Sequence, residues 1–189
     1  SNYEGDLADD RQSYYVPRSR IVAEQFIERI NNQELADLLV RFHSQVSTMK
    51  IPRYDNFKRM AYDANLTSRA FPNWQDGLKF YEDFLYRDHS HSFKQQAAIY
   101  LNRKKQFALA FKWIDEAKII AKGHRKISID NTYAVILFGA NYDKIAEDKN
   151  LITSLDESME ILTKCFESDR KKPYHAKVFA DQAIKYAMA

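Results

Sequence analysis

Residues that interrupt regular backbone are scarce in this chain. Glycine and proline occur four times each in 189 positions, whereas tyrosine and phenylalanine occur twelve times each. Few breakers permit long helices, and many rings supply a core to pack them. The length fits one domain of ordinary size, or two very small ones, and suffices to bury that core. With 45% hydrophobic and 29% charged residues, the chain is neither disordered nor collagen-like. The single cysteine, Cys165, excludes an internal disulfide and a thiol-based zinc site, which points to a reducing cytoplasm. No run of about 18 apolar residues is present to span a bilayer. The first residues, with Glu4, Asp6, Asp9 and Asp10, lack the basic and apolar regions of a secretory signal.

Residues 1–16 are polar and acidic without a helical period, and are expected to form an arm or linker, with Ser1-Asn2 resembling a scar of tag removal. From Pro17 onward, apolar residues recur at helical spacing. Val22, Phe26 and Ile30 share one face, and Leu35, Leu38, Leu39, Phe42 and Val46 share the next, with Asn31 or Asn32 as the cap between them. Pro52 opens a third segment through Phe57, Met60 and Ala61, and Pro72-Asn73 opens a fourth through Trp74, Leu78, Tyr81 and Leu85. Ser92 with Gln95 predicts a capping box and a helix over about 92–104. Phe107, Ala110, Phe111, Ile114 and Ala117 predict the following helix, which Gly123 ends. Asp130 or Asn131 is expected to cap a helix through Leu137, although residues 134–138 fit a buried strand by pattern alone and only context favours helix. Ser154 with Glu157 predicts another capping box, and a last helix is expected from Tyr174 toward Met188.

Small residues locate the close contacts, because two antiparallel helices approach closely only where one presents Ala, Ser or Gly. Ala98, Ala110 and Ala117 have the spacings of a tetratricopeptide repeat, with Phe107 and Ile114 as bulky partners. Ser158 and Cys165 repeat part of this set, displaced by 48 residues from Ala110 and Ala117. The surplus over the usual ~34 falls in the polar stretch 143–150. Beyond the repeat, the series 80–82, 93–98, 108–117 and 129–138 resembles the carboxy-terminal helical region of large bacterial P-loop NTPases of the STAND type. That resemblance, which covers residues 17–189, implies a sensor or assembly surface following a nucleotide-binding core. It also implies, in some such proteins, a sirtuin-like or TIR effector and a role in defence against phage. The chain contains no G-x-x-x-x-G-K-[ST] motif, so nucleotide hydrolysis is not expected of it.

Three short motifs have plainer readings. Asp88, His89 and His91 are the densest set of possible metal ligands, but the alternating His-x-His pair converges only on an extended backbone and no further distant ligand accompanies the set, so a polar interhelical loop is the preferred reading. Arg170 and His175 match the loose spacing of a helical ribonuclease motif, yet Pro173 would break the helix such a site requires. Cys165 lies in the small-residue slot matching Ala117, which favours packing over nucleophilic chemistry. No catalytic, metal or cofactor residue is therefore expected.

Charge is unevenly distributed. Residues 101–126 hold eight Lys or Arg against Asp115 and Glu116, and residues 141–169 hold eight acids against three bases. Arg103, Lys104, Lys105, Lys122, Arg125 and Lys126 lie at the two ends of a helical pair and form a candidate basic patch for phosphate. The opposed charge of the two stretches also favours head-to-tail contact with a neighbouring copy. The expected fold is all-α, with about seven to nine helices in stacked antiparallel pairs, irregular over 17–88 and tetratricopeptide-like over 89–189. The expected function is non-catalytic recognition of a protein or peptide partner, or of neighbouring domains of a parent NTPase. A groove of Gln95, Ile99, Asn102, Arg103 and Asn131 is expected to grip an extended chain. A nucleic-acid-binding module is the alternative, and a helical ribonuclease the second.

Overall fold

The computed structural model describes residues 2–3, 14–15, 27–47, 58–145, 147–170 and 173–188. The fold is all-α, with helices packed in pairs. In the expected arm, Asn2–Tyr3 pairs antiparallel with Tyr14–Tyr15. The expected openings at Pro17 and Pro52 lie outside the described residues, which resume with helical turns at 27–29 and 58–61.

The first half is built on well-capped short helices. Helix α1, Asn32–Gln45, is capped by Asn31, whose side chain accepts from the Glu34 N–H at 2.9 Å. It buries Leu35, Ala36, Leu39 and His43, a stripe at helical spacing. Helix α2, Ala64–Ala70, follows a break that apolar spacing did not reveal: Asp63 accepts from the N–H groups of Asn65 and Leu66. Helix α3, Trp74–Phe84, is capped by Asn73 and buries Gly77, Phe80, Tyr81 and Phe84. The buried Tyr81 hydroxyl donates to the Tyr62 carbonyl at 2.8 Å and lies 3.2 Å from the Thr67 hydroxyl, which ties α3 to the start of α2.

The second half stacks two helical pairs and a final helix. Helix α4, His91–Arg103, packs extensively on α5, Phe107–Ile120. Helix α6, His124–Tyr142, packs comparably on α7, Ile152–Ser168. Helix α5 joins the pairs by packing on α6, and α8, Pro173–Tyr186, packs on α7. The turn between α4 and α5 closes with Gln106 N–H on Leu101 O and Lys105 N–H on Asn102 O, each 2.9 Å. Those are the two bonds of a Schellman cap, with Lys105 at φ 57° where glycine is usual. Ala97, Ala98, Ala110 and Ala117 have no exposed surface, and Phe93, Leu101, Ile114 and Ile129 are equally buried. Each such large apolar side chain contributes about 1.5–3 kcal/mol on burial.

Three expected helix starts are corrected. Ser90, not Ser92, caps α4: its hydroxyl accepts from Phe93 N–H at 3.2 Å, while Asp88 fixes Ser90 by accepting its N–H at 2.8 Å. Gln95 is therefore free to bond elsewhere. Helix α6 begins at His124, so Asp130 and Asn131 are interior, and the strand alternative for 134–138 is excluded. Ser154 is also interior. A 3-10 turn, Lys149–Leu151, leads into α7 and is capped by Asp148, which accepts from Asn150 N–H at 2.9 Å.

Candidate functional site

Two adjoining cavities open where α4 begins and α5 ends. The larger encloses about 650 Å³ between His43 on α1 and Val46 just beyond it, Arg59 and Tyr62, the turn from Phe84 to Phe93, and Ile120, Lys122 and Arg125. The smaller encloses about 310 Å³, shares Arg59, Tyr62, His91, Ser92 and Arg125, and extends to Gln95, His124 and Ser128. Together they form one cleft.

Its lining is cationic. Lys58, Arg59, Arg87, Lys122 and Arg125 face the larger cavity against Asp88, the one carboxylate among the described lining residues. Arg87 is structural, since its guanidinium donates to Ser44 O at 2.9 Å and Val46 O at 2.7 Å and so closes the end of α1. Asp88 is engaged by the Ser90 N–H. Arg59, Lys122 and Arg125 are exposed, and among the described residues none of them enters an ion pair. The His91 imidazole is held below its ordinary value by burial, then by Arg125 and Arg59, with Asp88 opposing. His43 is likewise held down by burial, against a bond to the Ala61 backbone, and its ring meets Phe80 and Phe84 at 5.3 Å. Both surroundings favour the neutral ring, so neither His43 nor His91 is called on for the positive charge that the arginines and lysines bring to the cleft.

Backbone adds to that charge. The amino ends of α4 and α6 both reach the cleft, and neither carries an acid in its first turn. Helix α6 has no side-chain cap, because Gly123 stands at the cap position with φ 57° and ψ −140°, a conformation nearly restricted to glycine. Its first turn carries His124, Arg125 and Lys126, where the helix dipole favours acids.

The residues singled out from sequence separate. The six-residue basic patch is divided, since α4 is 13 residues and about 20 Å long. Lys122 and Arg125 line the cleft with Lys126 beside them in sequence, whereas Arg103, Lys104 and Lys105 lie at the opposite end of the pair. There Lys104 donates to Pro72 O at 2.8 Å and Lys105 pairs with Asp143 at 2.7 Å. The candidate groove is occupied by α6. Gln95 Nε2 donates toward Ser128 O, Ser128 Oγ and Thr132 Oγ1 at 2.8–3.1 Å. Ile99 packs against the main core, and Asn102 lies against Gly139. Asn131 is fully buried with neither amide atom partnered, and only Arg103 of the five is exposed. Gln95 therefore ties α4 to α6 at the edge of the smaller cavity, Asn131 is withdrawn into the interior, and Arg103 stays on the surface.

His175 is 1% exposed on α8 while Arg170 is on the surface, so they do not present a shared acid–base pair. Among the described residues no group of three His, Cys, Asp or Glu is placed to hold a metal. Cys165 is buried with its thiol pushed up to about 11 by burial and then by Asp130, which makes it a poor nucleophile. Among the described residues no helix is long and apolar enough to cross a membrane. No family model, curated protein or solved structure matches the chain.

Sequence reasoning missed the cleft as a unit. Its parts come from α1, residues 58–62, the 84–93 turn and the 120–125 turn, and only the local crowding of His and Arg at the last two gave a signal.

Proposed function

We propose that the chain is a non-catalytic recognition domain of tetratricopeptide-like helical pairs, acting as the sensor or assembly part of a larger bacterial NTPase. The observation that supports it is the cleft, where Arg59, Lys122 and Arg125 are unpaired among the described residues. Like charges gathered in one concave site repel one another, a cost that an anionic partner removes. The fold class is consistent with stacked repeats, whose concave surfaces commonly bind partners. Nucleic-acid binding along the hairpin is the weaker reading, because a strand-tracking groove needs continuous charge and the basic residues fall into two groups.

The test places Arg59→Ala and Arg125→Ala together in the full-length parent. Loss of triggered activity, with helical content and melting temperature intact, is the expected result. Full triggered activity would remove the cleft from the recognition surface.

A further inference from the structure

We infer that the cleft is a binding site for the phosphate group of a nucleotide-sized ligand, held between Arg59 and Arg125 at the amino ends of α4 and α6. The inference rests on the reading of the cleft as a recognition site, and it adds the chemistry of what is recognised. Four features converge on an anion. The first is the pair of exposed guanidinium groups, Arg59 and Arg125, which line both cavities and have no carboxylate partner among the described residues. A guanidinium fork binds phosphate oxygens in pairs, so two such forks can clamp one phosphate. Lys122 adds a third cation to the larger cavity.

Helix geometry supplies the second feature. Each helix amino end carries a partial positive charge and unpaired amide donors, and α4 and α6 bring two such ends to one place. In α4 the Ser90 hydroxyl takes the Phe93 amide, whereas the first turn of α6 has no side-chain acceptor. The third feature is local conflict. His124, Arg125 and Lys126 occupy the turn where positive side chains are least favourable, an arrangement that a bound anion reverses from repulsive to attractive. Fourth, the volume of about 650 Å³ exceeds what a bare phosphate needs and falls within the range of small-ligand pockets. Behind the cations the Tyr62 and Phe93 rings, edge to face at 5.0 Å, are almost wholly buried, and Phe84 is 7% exposed. Room of that size next to an anion clamp suits a phosphate ester with an organic body.

The charge distribution separates this ligand from a polymer. A nucleic-acid backbone would require cations continuing away from the cleft, but Lys104 and Lys105 are about 20 Å away and already engaged.

The full chain is titrated calorimetrically at about 0.15 M salt with ATP, AMP, inorganic phosphate and adenosine, and with a single-stranded oligonucleotide of about 20 residues. ATP and AMP are expected to bind and to raise the melting temperature, inorganic phosphate to bind more weakly, and adenosine to give no heat. The double variant Arg59→Ala, Arg125→Ala should lower ATP affinity at least about tenfold, with its circular dichroism unchanged. The exposed variant Arg103→Ala should bind as the parent does. Adenosine binding as well as ATP, an unaltered affinity in the double variant, or no binding of any phosphate probe up to about 10 mM would overturn the inference. An oligonucleotide that binds more tightly than ATP and is weakened by Arg103→Ala would overturn it in favour of a strand track. If no phosphate probe binds but the double variant still silences the full-length parent, the phosphate inference alone fails. If ATP binds while the parent is unaffected by the double variant, the recognition reading fails and the phosphate site stands.

Discussion

Helices α3 and α4 meet at a glycine, and replacing Gly77 with alanine should show how tightly they are fitted. A Cβ at Gly77 would lie 2.0 Å from Tyr100 Oη, 2.1 Å from Cζ and 2.5 Å from Cε1, far inside contact distance. The ring has little room to retreat. Tyr100 is fully buried, and its hydroxyl lies 3.0 Å from Phe71 O and 2.9 Å from Asn73 O, the turn that opens α3. Overpacking of this kind costs about 1–3 kcal/mol, and disturbing the hydroxyl's bond adds about 0.5–1.5 kcal/mol. Alanine's better helix propensity returns about 1 kcal/mol. The net expectation is a loss of about 1–3 kcal/mol, or a fall in melting temperature of several degrees. Urea denaturation checks it through a lower midpoint at unchanged slope. The same substitution in a Tyr100→Leu background should cost much less, giving a coupling of about 1 kcal/mol or more. A neutral or stabilising Gly77→Ala in the unmodified chain would refute the reasoning.

Ala110→Leu and Ala117→Leu should each destabilise by about 1–3 kcal/mol, since both alanines are wholly buried on the α5 helix that packs against α4; thermal melts with no change at either site would defeat the close-packing account. Stability should decline on acidification below about 6.5, because buried His43 has a lowered value in the folded state and the unfolded chain therefore binds more protons in that window. His43→Phe should flatten this pH dependence, measured as denaturation midpoints across pH, with the similarly lowered His91 supplying the remainder. Cys165 should resist alkylation at pH 8 in the native chain and react readily in urea, because its thiol is buried and raised to about 11; rapid native labelling would contradict that placement.

Helices were legible where apolar spacing and capping chemistry agreed. Asn31 and Asn73 cap where side-chain type alone predicts, and Pro173 opens α8 where its missing N–H costs nothing. Helix starts became illegible where the sequence offers two equivalent caps. Ser90 and Ser92 differ only through the Asp88 carboxylate that fixes the former, a contact without a periodic signature. The start of α6 was hidden for a physical reason: His124, Arg125 and Lys126 are the wrong charges for a helix amino end, so the ordinary rule pointed instead to Asp130 and Asn131. The surroundings of Gln95 were not legible, because spacing can say which residues share a helix face but not what covers that face. Here α6 covers it, and Gln95 is spent on Ser128 and Thr132. The cleft joins residues from His43 to Arg125, a separation across which no local pattern operates.

Chemical-shift mapping of the full chain during an ATP titration tests the phosphate cleft most directly. The predicted result is a set of saturating shifts at Arg59, His91, Ser92 and Arg125, with the His91 ring titrating at higher pH once ligand is bound. The sign follows from its surroundings: Arg125 and Arg59 disfavour the imidazolium, Asp88 favours it, and an added anion favours it further. Binding should accordingly tighten as pH falls toward about 6. Shifts confined to residues 103–105 or to α8, or an unchanged spectrum at saturating ATP, would contradict the account.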